Sequence, residues 1–153
     1  MPDSILGLPV HPLIVHATVV IVPAAAIAVL LAAVLPRFRA WAGPLPMLLA
    51  VTGLVLAPLS TSSGEDLEHQ VRENSLVERH AELGDTLVWV MVPLVVVAVA
   101  LWWLGRRADT GKALLVGVSV LAVIAAAGTV VDVALIGHSG AKAAWSDVST
   151  SGE

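Results

Sequence analysis

Four long runs of apolar residues, separated by polar connections, dominate the pattern of this chain. They cover residues 12–35, 44–59, 84–105 and 113–136. A helix needs about 20 mainly apolar residues to cross the hydrocarbon core of a bilayer. Only helices and closed barrels satisfy their backbone hydrogen bonds in lipid. The pattern therefore predicts an all-α fold, a four-helix transmembrane bundle that forms a single integral membrane domain over residues 1–153.

The connection between the second and third runs is longer than the other two and mostly acidic. Ser62 precedes Glu65 by three residues, and Ser75 precedes Glu78 by three. Each spacing is that of a capping box, which marks a helix start. The first box predicts a short extracytoplasmic interfacial helix over residues 65–73. The second predicts that the third spanning helix starts next to Ser75 and projects beyond the membrane.

The positions of the basic residues predict how the chain is oriented. Five of the eight Lys and Arg residues lie in the two short connections: Arg37, Arg39, Arg106, Arg107 and Lys112. Basic loops remain in the cytoplasm, so both termini and the acidic connection should face outward. The residues before the first run include an acid and no Lys or Arg, unlike a secretory signal. We expect a multi-pass protein of the bacterial cytoplasmic (inner) membrane.

Composition supports the membrane class and excludes several functions. The chain is 58% hydrophobic and 13% charged, about half the charged share of an average soluble domain. No basic patch indicates nucleic acid. The chain contains no cysteine, which excludes disulfides, cysteine-ligated zinc, ordinary iron–sulfur clusters and covalently attached haem. Small residues recur within the runs, so close helix packing and a homodimer are both permitted.

The predicted orientation places every histidine in the outer half of the bundle. They are His11, His16, His69, His80 and His138. An ionisable residue within a membrane helix is a functional candidate by default. Asp132, the one carboxylate within the fourth run, also needs a partner. A histidine N–H, a nearby hydroxyl or water could supply it.

Helical geometry distinguishes the first two histidines. His11 is expected to cap the first helix, and His16 follows five residues later. At 100° per residue the two point about 140° apart. The spacing therefore favours His16 as the histidine of this pair that points into the bundle. Its partners would come from the other helices: His80, His138 and Asp132.

Three segments resemble a known family. They are GLPVHPLIVH at the start, HAELG before the third run and GHSGAKAAW after the fourth. Together they resemble the domain of unknown function 2231 family, small predicted bacterial membrane proteins with about four spans. The resemblance covers nearly the whole chain. It implies a four-span membrane domain with recurring histidines at positions 11, 16, 80 and 138, and it implies no settled activity.

Haem b binding is the first of three functional hypotheses. Axial imidazoles from two helices would hold the iron of an electron carrier or redox accessory. His16 with His80 is the preferred pair, and His138 could replace either. Gly84, one turn after His80, would admit a flat ligand or a neighbouring helix. The partner would be a redox protein or a quinone.

The second hypothesis is the binding or transport of a transition-metal ion such as Cu, Zn or Fe, which imidazole and carboxylate ligands suit. Its candidate ligands are His11, His16, His80, His138 and Asp132. The third is a structural membrane subunit without a cofactor. The chain has neither an HExxH nor a G-x-S-x-G motif, so a binding protein or redox carrier is favoured over a hydrolase.

Overall fold

Five α-helices form almost all of the structure, a computed structural model that describes residues 4–5, 8–68 and 75–149. The helices are α1 (Val10–Val34), α2 (Pro36–Ala42), α3 (Leu45–Glu68), α4 (Ser75–Leu104) and α5 (Lys112–Ser149). Two short antiparallel strands, β1 (Ser4–Ile5) and β2 (Leu8–Pro9), precede α1. Four of the helices, α1, α3, α4 and α5, are long and apolar enough to cross a membrane. The expected all-α fold with four candidate spans is confirmed.

The spanning helices extend beyond the apolar runs. Residues 65–68, predicted to start a separate interfacial helix, instead form the last turn of α3. The rest of that segment, including His69, lies outside the described residues. Hydroxyls in the polar end of α3 bond carbonyls of the same helix, so they are satisfied without a partner elsewhere. Thr61 donates to the Pro58 carbonyl at 3.1 Å, and Ser63 donates to the Ser60 carbonyl at 3.0 Å.

The four long helices form a closed ring of two hairpins. Within the hairpins, α1 packs against α3 and α4 packs against α5. Contacts of α3 with α4 and of α1 with α5 then close the ring, which leaves α1 and α4 on one diagonal. We call the end where α1 and α4 begin, and α3 and α5 finish, the histidine end. The opposite end, with residues 35–44 and 105–111, is the arginine end.

Small side chains let the helices approach closely at the centre of the ring. Alanines from three of the spans are fully buried: Ala25, Ala26, Ala50, Ala57 and Ala122. Larger buried residues such as Val22, Met91 and Leu94 fill the remaining space. Van der Waals packing of this kind holds membrane helices together, because lipid tails are as apolar as leucine.

The outer surface of the ring is apolar and is least covered on α5. Only 17% of the most apolar stretch of α5 is buried within the bundle, against 44% for α1. Gly117 and Gly128 are two of the small residues that recur within the apolar runs. A Cβ added at either would have no side-chain or non-local backbone atom within 4 Å. Exposed Val116, Ile124 and Val131 occupy the same surface. Most of the α5 surface is therefore left uncovered by the rest of the bundle.

The arginine end contains a helix that the hydrophobic pattern did not predict. The helix α2 begins with Pro36 in its first turn, where a missing N–H costs nothing. It ends at Gly43, whose φ of 56° suits glycine. Two tryptophans of α4 carry stacked arginines here. The Arg106 guanidinium lies 5.2 Å from the Trp102 ring centroid, and that of Arg107 lies 4.9 Å from Trp103.

We expect Gly53→Leu to destabilise the bundle by about 1–3 kcal/mol, the usual cost of overpacking. A Cβ at Gly53 would lie 2.8 Å from Met91 Cε and 3.3 Å from Val22 Cγ2, so a larger side chain forces α1, α3 and α4 apart. Gly117→Leu is the matched control, because no atoms lie near that position. Unfolding in detergent with increasing dodecyl sulfate measures the difference. Equal midpoints for the two variants would contradict the close approach at Gly53.

Candidate functional site

His11 joins the two helices of the first hairpin. It is the second residue of α1, not a cap outside the helix. Its Nδ1 lies 3.0 Å from the Ser63 hydroxyl of α3. Because Ser63 donates its own proton to the Ser60 carbonyl, its oxygen accepts from His11 Nδ1–H. The hydrogen bond therefore leaves the lone pair of His11 on Nε2.

His80 joins the two helices of the second hairpin in the same way. Its Nδ1 lies 3.0 Å from the Ser139 hydroxyl and 3.2 Å from the Ile136 carbonyl of α5. A carbonyl only accepts, so Nδ1 carries the hydrogen, and Ser139 donates its proton to Ile136. The Nε2 lone pair again has no part in these bonds. This polarity is opposite to that of an activated serine, whose proton goes to the imidazole.

A glycine after each serine makes room for the imidazole. A Cβ on Gly64 would lie 3.2 Å from His11 Cε1, and one on Gly140 would lie 2.9 Å from His80 Cε1. Both distances are shorter than ordinary van der Waals contact. The two rings therefore lie against bare helix backbone, and a side chain at either glycine would displace them.

These two arrangements form a structural repeat, which we call the His–Ser–Gly clasp. In each, the histidine comes from the start of the first helix of a hairpin and the Ser-Gly pair from the end of the second. The clasps are His11 with Ser63-Gly64, and His80 with Ser139-Gly140. Neither the apolar pattern nor the histidine spacing predicts the clasps, although the Ser-Gly pairs at 63–64 and 139–140 are visible in the sequence.

The ring places the two clasps at the same end of the bundle. Their histidines belong to α1 and α4, the diagonal helices. His11 and His80 each lie near the start of their helix, at the histidine end. Two ring nitrogens free of the clasp bonds are thus available at the histidine end.

His16 and His138 lie away from this pair. His16 is exposed, and its Nδ1 donates to the Pro12 carbonyl of its own helix at 2.5 Å. It precedes the buried Thr18 by two residues, which turns it about 160° from the packed face of α1. His138 is also exposed, on α5. The structure therefore turns His16, the residue that the sequence favoured, away from the helix interfaces in which His11 and His80 are bonded.

Asp132 is bonded to a hydroxyl of α4. Its Oδ1 accepts from Thr86 at 2.7 Å, one of the alternatives left open by the sequence. Its other oxygen, Oδ2, is buried without a hydrogen-bond partner among the described residues. A Cβ added at Gly84 would lie 3.9 Å from Thr61 Cγ2 of the neighbouring α3. Both residues thus lie in helix interfaces.

The five candidate metal ligands do not come together as a group. Within the described part of the chain, no three residues among His, Asp and Glu are placed to hold one ion. The outward positions of His16 and His138 account for this. What the structure assembles is a pair of imidazoles with fixed tautomers.

An apolar ring of helices with its polar groups in the helix interfaces is the architecture of an integral membrane protein. The two clasps give this bundle a site at one end. The chain belongs to the DUF2231 family, described as predicted membrane proteins, whose family model matches residues 7–152. The resemblance carried by the three sequence motifs is therefore confirmed. No curated protein and no solved structure matches the chain.

We expect Gly140→Ala to lower the stability of the bundle by about 1–3 kcal/mol, the cost of leaving buried hydrogen-bonding groups unsatisfied. The added Cβ would lie 2.9 Å from His80 Cε1 and push the ring off Ser139. Gly137→Ala is the control, since it gives the same gain in helix propensity at a position with open space. The measurement is unfolding in detergent. A Gly140→Ala variant as stable as Gly137→Ala would contradict the clasp.

Proposed function

We propose that this membrane protein binds haem b between His11 and His80 and acts as an electron carrier or redox accessory. The observation that carries the proposal is the pair of clasped imidazoles at one end of the bundle. Their Nδ1 atoms are bonded to oxygen atoms, and their Nε2 atoms are free of those bonds.

The hydrogen bonds of the clasps suit metal ligation. A ligating histidine almost always donates its other ring N–H to a carbonyl, carboxylate or water, which fixes the ring orientation and raises the basicity of the ligating nitrogen. His80 donates to the Ile136 carbonyl and the Ser139 hydroxyl, and His11 donates to Ser63. Each imidazole is therefore oriented in advance by a neighbouring helix.

The number of ligands favours haem over a bare ion. Haem iron takes one or two axial ligands from the protein, whereas zinc takes three or four. The described residues provide two clasped imidazoles and no group of three candidate ligands. Binding of a Cu, Zn or Fe ion is therefore the alternative to be tested, not the preferred function.

Haem would supply reversible one-electron chemistry at this end of the bundle. The chain itself would fix the two ligands through the hydrogen bonds of the clasps. Because His11 lies in the first turn of α1 and His80 in the second turn of α4, the site is close to the end of the bundle. A redox protein or a quinone could therefore approach it closely.

We expect protein purified from haem-supplemented cells to show a Soret band that shifts on reduction. His11→Ala and His80→Ala should each lower the bound haem at least tenfold, because each removes an axial ligand. His16→Ala and His138→Ala are matched controls that should retain the band, since both residues are exposed. Absorption spectroscopy with a pyridine haemochrome assay measures the haem content.

Three other outcomes would contradict this assignment. Loss of haem in His16→Ala but not in His11→Ala would restore the pair that the sequence favoured. Colourless protein with stoichiometric Cu, Zn or Fe would indicate an ion site. Protein that binds neither haem nor a metal ion, and that loses thermal stability in His11→Ala and His80→Ala, would indicate that the clasps only stabilise the fold.

We also propose that the arginine end faces the cytoplasm of a bacterial cell, with both termini outside the inner membrane. The excess of Lys and Arg in the two short connections supports this orientation. The chain has no cysteine, so single cysteines report topology directly. In intact spheroplasts, a membrane-impermeant thiol reagent should label Glu65→Cys and should label Asp109→Cys only after lysis. The reverse pattern would contradict the orientation.

A further inference from the structure

A pocket at the arginine end has features that the haem proposal does not use. It is a small cleft between α1, α3 and α4 beside α2, partly open to the surroundings. Val29, Met47 and Leu101 provide apolar walls. Arg39 and Trp102 also line it. The pocket thus combines an apolar interior with two hydrogen-bond donors.

Trp102 has a donor without an acceptor. Its indole Nε1 is buried and has no hydrogen-bond partner among the described residues. An indole nitrogen can only donate, and a buried donor left unsatisfied is unfavourable. An acceptor atom from a bound molecule would satisfy it.

Arg39 has positive charge and donors to spare. One guanidinium nitrogen donates to the Ala32 carbonyl at 3.1 Å, and the group has five N–H donors in all. No carboxylate of a described residue pairs with it. Arg106 adds a second positive charge, stacked 5.2 Å from the centroid of the Trp102 ring. The donors of the pocket are therefore complementary to an anion.

The depth of the pocket indicates which anion is available. Trp41 and Trp103, at the same end, are 78% and 55% exposed. Exposed tryptophans of membrane proteins concentrate at the level of the lipid headgroups. Basic pockets between spanning helices at this level bind anionic headgroups.

We propose that this pocket binds the phosphate group of an anionic phospholipid, with Arg39 and the indole N–H of Trp102 donating to its oxygens. Arg106 adds charge attraction from above the indole ring. The site is separate from the clasps, which lie at the other end of the bundle, so it stands or falls independently of haem binding.

The test uses the full-length protein, delipidated in detergent and titrated with short-chain phosphatidylglycerol, with phosphatidylcholine or with inorganic phosphate. Native mass spectrometry counts the bound lipids. We expect phosphatidylglycerol to bind at least tenfold more tightly than phosphatidylcholine. Trp102→Phe and Arg39→Gln should each weaken phosphatidylglycerol binding about tenfold, and Arg39→Lys should retain part of it.

Trp103→Phe and Arg107→Gln are the matched controls. They form the same kind of stacked pair on the neighbouring positions, 4.9 Å from guanidinium to ring centroid, but do not line the pocket. Equal losses in the control and pocket variants would overturn the site in favour of a diffuse basic surface. Inorganic phosphate that competes as well as the lipid would overturn the lipid assignment. Unchanged elution and circular dichroism verify that the variants fold.

Discussion

The absence of hydrogen-bonding partners in lipid is the constraint on which this structure depends. Every polar side chain within the membrane must find its partner in the protein. The bundle answers this demand with side-chain hydrogen bonds within its hairpins, and Asp132 Oδ2 and Trp102 Nε1 are buried exceptions among the described residues. Thr18 bonds Ser60 across α1 and α3 at 2.7 Å, with Ser60 as the donor because Thr18 donates to the Ile14 carbonyl. The two clasps lie beyond these deeper contacts, at the histidine end. The polar residues that tie each hairpin together are thus also the residues that orient the proposed ligands.

The two ends of the bundle carry different polar groups, and the core between them is apolar. The middle of the ring is held by alanines and aliphatic side chains, which give packing without direction. Directional bonds are concentrated at the histidine end. Cationic and aromatic groups are concentrated at the arginine end. The proposed haem ligands therefore lie at one end of the bundle and the proposed lipid-binding pocket at the other. An apolar layer separates the two.

The long apolar runs were enough to predict four spans, because length and hydropathy decide whether a helix can cross a bilayer. They could not decide which histidine points inward. The 140° between His11 and His16 excludes both from facing one partner, but the choice depends on Ser63, which is 52 residues away in sequence from His11. The expected boundary after residue 59 was also wrong, because α3 continues to Glu68. The hydroxyls that indicated a boundary bond carbonyls of the same helix. Local pattern thus gave the elements, and contacts distant in sequence gave the site.

Side-chain hydrogen bonds fix the register of the two helices within each hairpin, whereas apolar packing joins one hairpin to the other. Ser139 and Asp132 are seven residues apart on one face of α5, about 10 Å along the axis. Both bond to α4, through His80 and Thr86, so sliding or rotating α4 against α5 would break two hydrogen bonds. Between α3 and α4, a Cβ added at Gly84 would lie 3.9 Å from Thr61 Cγ2, which is an ordinary van der Waals distance. A small shift of one hairpin against the other would therefore change the separation of His11 and His80 while preserving every clasp bond. In the proposed haem site, such a shift would set the distance between the two ligands while each ring keeps its orientation.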